Sequence, residues 1–112
     1  MPNPTGIWLS DKRREPRHSF TATVELLDTS VQVRIRAKTG NLSMNGCYVN
    51  TVNPFPVGSR VKVTITHGEA SFTALGTVAH GELNMGMGIS FIKVEPNQKE
   101  ILLKWLVASS GS

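Results

Sequence analysis

The stretch FTATVELLDTSVQVRIRAK, residues 20–38, contains the pattern from which the fold is predicted. Apolar and polar residues alternate in residues 20–26 and again in residues 31–37, and the turn-forming sequence DTS lies between them at residues 28–30. A period of two is typical of a half-buried strand. The stretch therefore predicts two antiparallel strands joined by a short turn. The second strand has a cationic outer face, formed by Arg34, Arg36 and Lys38.

The strand pattern continues towards the carboxyl end of the chain. A loop is expected at residues 40–46, and the sequence NPFPVG at residues 53–58 contains two prolines, which the interior of a strand does not tolerate. Further turns are expected at residues 67–69 and 80–84. The strands predicted between these connections cover residues 47–51, 61–65, 71–79 and 87–91.

A helix is predicted after the last strand, because Pro96 suits a first helical turn. About six short strands followed by one amphipathic helix indicate an all-β fold. The expected architecture is a small six-stranded antiparallel β-barrel with a C-terminal α-helix, over residues 20–108. Four apolar residues recur at helical spacing after the proline: Ile101, Leu102, Trp105 and Leu106.

Both ends of the chain are expected to be flexible. The first ten residues, MPNPTGIWLS, contain two prolines and a glycine, which disfavour regular structure. The charged segment DKRREPRHS follows at residues 11–19, and Pro16 interrupts it. Residues 1–19 are therefore predicted to form a flexible N-terminal arm, and residues 109–112 a flexible tail.

Composition limits the classes of function that need to be considered. The 112 residues include 12 Lys and Arg against 8 Asp and Glu, which leaves a net charge of +4. This excess suits an anionic ligand and is too small for a histone-like tail. The single cysteine excludes an internal disulfide, and the three scattered histidines do not form a recognisable zinc site.

A membrane span and a secretory signal are not expected. The longest apolar stretch, residues 101–108, is interrupted by Lys104 and is too short to cross a bilayer. The amino terminus lacks a basic region followed by an apolar one. The sequence therefore predicts a cytoplasmic protein.

No arrangement of residues indicates catalysis. A nucleophilic Ser or Cys needs a neighbouring base, but Cys47 alternates with Val49 on one face of a predicted strand, which favours a buried thiol. His80 near Glu82 is expected in a solvated turn, and no phosphate-binding Walker loop is present. The chain is therefore expected to be neither an enzyme nor a metalloprotein.

The segment RREPR, residues 13–17, carries chemistry that suits a phosphate ligand. Arg13 and Arg17 are four positions apart, with Arg14 between them. A planar guanidinium forms bidentate, charge-assisted hydrogen bonds to phosphate oxygens and can stack on a base. A solvated run of charges is the alternative interpretation.

The segment NLSMNG, residues 41–46, is the second candidate. The Asn41 amide can read the edge of a base, and Ser43 adds a hydroxyl. Gly46 permits a positive φ and a close approach of the backbone. The alternative is a turn that merely connects two strands.

In this order, about one hairpin apart, the two segments resemble the PilZ family of bacterial receptors for the second messenger cyclic di-GMP. The family pattern is R-x-x-x-R ahead of the first strand and [DN]-x-S-x-x-G between the second and third strands, and both are complete here. The resemblance covers roughly residues 11–107. It includes the sequence PVG at residues 56–58, G-x-V at residues 76–78, G-x-G-I-x-F at residues 86–91, and the final helix.

The resemblance implies a role for each motif residue towards cyclic di-GMP, the one ligand expected, with no cofactor. The arginines would hold the phosphates and a guanine. The asparagine and serine would lie against a guanine and its phosphate, and the glycine would keep the loop close. The ligand-binding residues so implied are Arg13, Arg14, Arg17, Asn41, Ser43 and Gly46.

The expected function is that of a cyclic di-GMP receptor that orders its N-terminal arm on ligand binding and signals to an unidentified protein partner, without binding nucleic acid. One alternative is a PilZ-like adaptor that binds proteins but no nucleotide. Another is a small-barrel nucleic-acid-binding protein that uses the cationic strand. Such proteins expose aromatic stacking platforms, whereas Phe20, Phe72 and Phe91 are expected in the core. For the cyclic di-GMP site, no aromatic stacking residue can be assigned from the sequence.

Overall fold

Seven strands and one helix form the part of the chain that the computed structural model describes, residues 18–110. The strands follow one another in chain order and the helix comes last. The elements are β1 (His18–Ser19), β2 (Thr23–Asp28), β3 (Val33–Ser43), β4 (Gly46–Asn50), β5 (Arg60–His67), β6 (Ala70–Glu82), β7 (Gly86–Lys93) and α1 (Pro96–Ser110).

The strands close into a barrel. Each pairs antiparallel with its neighbours in the order β3-β2-β5-β6-β7-β4, and the pairing of β4 with β3 completes the ring. Strand β1 is an additional short strand, paired with the carboxyl end of β3. The predicted six-stranded antiparallel barrel with a C-terminal helix is therefore confirmed.

Alternating side chains fill the barrel. In β5, Val61, Val63 and Ile65 point inward and are at most 1% exposed, while the residues between them face outward. The helix packs against β6 and β1. Its Trp105 ring stacks on Phe20 with ring centroids 5.4 Å apart. Among residues 18–110, no helix is long and apolar enough to cross a membrane.

A bulge separates β1 from β2, and Thr39 holds it together. Both strands pair with β3, but three residues, Phe20 to Ala22, stand opposite two residues of β3. The Thr39 hydroxyl accepts a hydrogen bond from the Ala22 N–H (3.0 Å) and donates one to the carbonyl of Phe20. Because Thr39 is fully buried, no water can replace it.

Strand ends differ from the sequence-based predictions where cross-strand pairing extends a strand. The loop predicted at residues 40–46 is instead the end of β3, a two-residue turn and the start of β4. Strand β6 continues to Glu82, although a turn was expected from His80, because residues 80–82 pair with β7. In both cases polar residues and glycines signal turns locally, while partner strands satisfy the backbone.

The two ends of the described region also shift the predicted boundaries. His18 and Ser19, predicted in the arm, form β1, and the helix reaches Ser110 instead of ending at residue 108. The remainder of the predicted arm, residues 1–17, and the tail residues 111–112 lie outside the described residues.

Replacing the hydroxyl of Thr39 tests the bulge. Thr39→Val keeps the shape but leaves a buried N–H and a buried carbonyl without a partner, at about 1–3 kcal/mol for each such group. We expect urea denaturation to give a free energy of unfolding at least about 2 kcal/mol lower than that of the parent. Thr39→Ser, which keeps the hydroxyl, is the control, and equal stabilities for the two variants would contradict this role.

Candidate ligand-binding site

The segment NLSMNG forms a tight hairpin, called the motif hairpin below (residues 41–46). Leu42 pairs with Cys47 and Ser43 pairs with Gly46, so only Met44 and Asn45 make the turn. The Ser43 hydroxyl accepts a hydrogen bond from the Asn45 N–H and donates one to the Gly46 carbonyl, both at 3.3 Å. The serine therefore shapes the turn as well as facing the site.

Gly46 lies where two strands come too close for any side chain. A Cβ at this position would stand 2.1 Å from the carbonyl oxygen of Ile89 in β7. Its φ is not in the left-handed region, so close approach and not a positive φ is what requires glycine. The Phe91 N–H also donates to the Asn45 carbonyl at 2.8 Å, which joins the turn to β7.

The motif hairpin borders a cleft of about 270 Å³. Strands β3 and β4 supply one side, and β6 and β7 the other. Three of the lining residues are the ones that the sequence predicts as ligand contacts, Asn41, Ser43 and Gly46. The others are Asn45, Cys47, Tyr48, Ala79, His80, Gly88, Ile89 and Ser90.

Two rings on the outside of the barrel form one wall of this cleft. Tyr48 and His80 have ring centroids 6.1 Å apart and planes inclined by 33°. Each ring lies over a glycine of β7: a Cβ on Gly86 would stand 2.7 Å from the Tyr48 ring, and one on Gly88 would stand 2.4 Å from the His80 ring. The glycines therefore let two rings lie flat against the sheet.

A hydrogen bond fixes the tyrosine. The Tyr48 hydroxyl donates to Glu82 Oε1 at 3.0 Å, across the two strands that flank β7. Partial desolvation, together with this hydrogen bond and the charge of Glu82, raises the pKa of Tyr48 above its usual value. The phenol thus stays neutral and keeps donating throughout the physiological pH range.

Cys47 contributes shape and no chemistry. Its side chain is buried beneath the cleft, and burial raises the pKa of the thiol to about 12. A protonated thiol is a poor nucleophile and a poor metal ligand. In the part of the chain that the structure describes, no group of three or more His, Cys, Asp or Glu side chains could hold a metal ion.

The structure thus brings the second predicted motif together at one cleft, while Arg13, Arg14 and Arg17 lie outside the described residues. The ring wall was missed by sequence reasoning, which placed His80 in a solvated turn. Alternation along β6 would place His80 on the inward phase with Phe72 and Val78, and the register shift between Val78 and His80 turns it outward. The one signal in the sequence was GMG at residues 86–88, whose two glycines leave room for rings on the neighbouring strands.

The chain belongs to the PilZ domain family, since the family model for the PilZ domain matches residues 11–108. No curated protein matches the chain.

Solved structures share the fold at low sequence identity. The PilZ domain of YcgR from Escherichia coli, solved with c-di-GMP, has a TM-score of 0.72 and 15% identity, covering 89% of this chain and 92% of that one. The Bacillus subtilis inhibitor of motility MotI/DgrA has a TM-score of 0.70 and 16% identity, covering 87% of this chain. PlzA from Borreliella burgdorferi, solved in complex with c-di-GMP, has a TM-score of 0.61 and 10% identity, covering 91%. The chain spans 50% of the B. subtilis protein and 44% of PlzA.

A methyl group at Gly46 should disrupt the pairing of the motif hairpin with β7. Gly46→Ala places the new carbon against the Ile89 carbonyl, so the strands must separate and hydrogen bonds of the β4–β7 pair are lost. We expect a lower melting temperature than that of the parent. Gly68→Ala is a control for glycine replacement alone, because its site has open space and only backbone strain at a φ of 63°. A smaller loss in Gly46→Ala than in the control would contradict the close-approach role.

Proposed function

We propose that this protein is a receptor for cyclic di-GMP and not an enzyme. The observation that carries the proposal is the meeting of three motif residues, Asn41, Ser43 and Gly46, at one cleft beside the strand that continues from the arginine motif. Membership of the PilZ family supports it, as do two similar domains that were solved with this nucleotide.

The size of the cleft supports the proposal that it holds only one part of the ligand. Sites that enclose a drug-sized molecule measure about 300–1,000 Å³, and this cleft measures about 270 Å³. It suits one guanine of a cyclic dinucleotide and leaves the phosphates and the second guanine outside. The arginine motif is the part of the chain proposed to hold those groups.

Strand β1 connects the two motifs. His18 pairs with Leu42 and Ser19 pairs with Asn41, so the chain runs alongside the motif hairpin. Arg17 precedes His18 directly, and consecutive Cα atoms are about 3.8 Å apart. In the proposed complex Arg17, Arg14 and Arg13 would reach the same ligand. Each guanidinium would form charge-assisted hydrogen bonds to phosphate oxygens.

Asn41 and the ring wall are proposed to recognise the guanine. The Asn41 amide oxygen would accept from the amino and imino N–H groups of the base. Tyr48 and His80 offer flat faces on which a purine can stack, and such stacking contributes about 1–3 kcal/mol per base. Ser43 would use its remaining acceptor capacity towards the ligand while continuing to shape the turn.

Signalling would follow from ordering of the arm. Residues 1–19 lack a periodic apolar face, whereas residues 20–108 contain the barrel and the helix that packs on it. We propose that the nucleotide bridges the arginines to the motif hairpin, orders the arm and creates a surface that a protein partner recognises. The protein would act in the cytoplasm, where the nucleotide is made, and without binding nucleic acid.

Titration with cyclic di-GMP tests the proposed receptor function. We expect binding in preference to GTP and cyclic di-AMP, and at least about tenfold weaker binding by Arg13→Ala or Arg17→Ala, because each removes charge-assisted hydrogen bonds. Lysine at either position should restore binding only in part, since an ammonium cannot form the bidentate fork. Arg60→Ala, an exposed arginine on β5, is the matched control. Absence of binding by the parent would favour a protein adaptor instead.

Base recognition can be tested separately from phosphate binding. Asn41→Ala should weaken binding and reduce the preference for cyclic di-GMP over cyclic di-AMP, whereas Asn41→Asp should preserve or strengthen it, because an ionised acceptor is stronger. Tyr48→Ala should weaken binding of both nucleotides, while Tyr48→Phe, which keeps the ring, should retain most of the affinity. An unchanged preference in Asn41→Ala would place base recognition elsewhere.

A further inference from the structure

Charge is unevenly distributed over the outside of the barrel. The outward side chains of β2, β5 and the first half of β3 include five cations and one carboxylate, whereas the rest of residues 18–110 has three cations and five carboxylates. This region is called the basic face below. Its charged residues are Arg34, Arg36, Lys38, Arg60, Lys62 and Glu25.

The register of the strands arranges the cations in two rows. Arg34, on β3, and Lys62, on β5, both stand opposite Leu27 of the central strand β2. Two strand spacings separate the rows, a distance of about 10 Å, and cations within a row are about 6.6 Å apart. Leu27 is half-buried between them. The basic face therefore has an apolar and polar centre with a cationic row on each side.

These cations are available for an outside partner. Arg34 lies 3.5 Å from Glu25, in an exposed pair whose side chains are 60% and 34% accessible. Exposed pairs of this kind contribute only about 0–1 kcal/mol, so another carboxylate can compete. Within residues 18–110, Arg36, Arg60 and Lys62 have no carboxylate at ion-pair distance.

The composition of the centre favours a protein as the occupant. Glu25 lies between the two rows, where the phosphates of a nucleic acid or a lipid surface would be repelled by it. The outward residues of β2, β5 and the first half of β3 include no Phe, Tyr or Trp, which nucleic-acid-binding barrels use for stacking. The centre instead combines the apolar Leu27 with the polar Thr23 and Glu25, and such a mixture of groups beside charged residues is typical of a protein interface.

The geometry points to an amphipathic helix with acidic flanks, supplied by a partner protein and lying along β2. An α-helix is about 10–12 Å across, which matches the separation of the rows. Carboxylates four residues apart on one flank are about 6 Å apart along the helix, close to the spacing of cations within a row. Apolar residues on the underside of the helix would then rest on Leu27.

The basic face and the cleft lie on different sides of the barrel. In the ring of strands, β2 is opposite β7 and β5 is opposite β4. A partner on the basic face therefore leaves the cleft open, and the proposal does not depend on the nucleotide. Charge complementarity of this kind mainly raises the association rate and makes the affinity depend on salt.

The test uses the full chain and a fluorescently labelled synthetic helix with leucines along one stripe, glutamates on both flanks and alanines elsewhere. Fluorescence anisotropy should show binding that weakens with salt, and at least about tenfold weaker binding by Arg36→Glu and by Lys62→Glu. Lys99→Glu, the same charge reversal on an exposed position of α1, is the matched control and should bind like the parent. Melting temperatures should confirm that all three variants are folded.

Three results would overturn the proposal. The first is equal binding of a control helix in which glutamines replace the glutamates. The second is an equal loss in Lys99→Glu, which would show a general effect of net charge. The third is tighter binding of oligo(dT), or of vesicles that contain phosphatidylglycerol, than of the acidic helix, because either would assign the basic face to another class of partner.

Discussion

The Thr39 hydroxyl holds together the point where the arm joins the barrel. Its two hydrogen bonds, from the Ala22 N–H and to the Phe20 carbonyl, stabilise the bulge between β1 and β2. This bulge lets β1 continue along β3 beside Asn41. Phe20, at the start of the bulge, also stacks on Trp105 of the helix. One buried side chain thus fixes the barrel, the helix and the entry of the arm relative to one another.

The motif hairpin is also fixed by close contacts with β7. Gly46 allows β4 to touch β7, and Gly86 and Gly88 allow two rings to lie flat on the sheet next to the cleft. These glycines have a steric role, since a Cβ at any of the three positions would collide with backbone or ring atoms. The part of the site formed by residues 41–46 and β7 is therefore preorganised by the barrel. The proposed effect of the ligand is to order the arm, which would change the surface of the receptor.

The sequence was sufficient for the barrel because alternation is a local signal. The apolar positions of β2 and β5 were identified correctly, since each strand has one buried face. Features that depend on partner strands could not be predicted in the same way. The bulge at residues 20–22 requires knowledge of the register with β3, and the pairing of His80 with Gly88 requires the partner β7. The ring wall was missed for this reason, although Asn41, Ser43 and Gly46 were found from their motif.

In the proposed complex, one nucleotide joins the arm to the motif hairpin. Hydrogen exchange of the full chain, with and without cyclic di-GMP, measures this at individual amides. We expect the amides of residues 13–15 and 17 to become protected when the nucleotide is added, while those of Val61, Val63 and Ile65 in β5 change little. Equal protection of these arm amides with and without bound nucleotide would contradict the proposal, because the arm would then not be the element that the ligand orders.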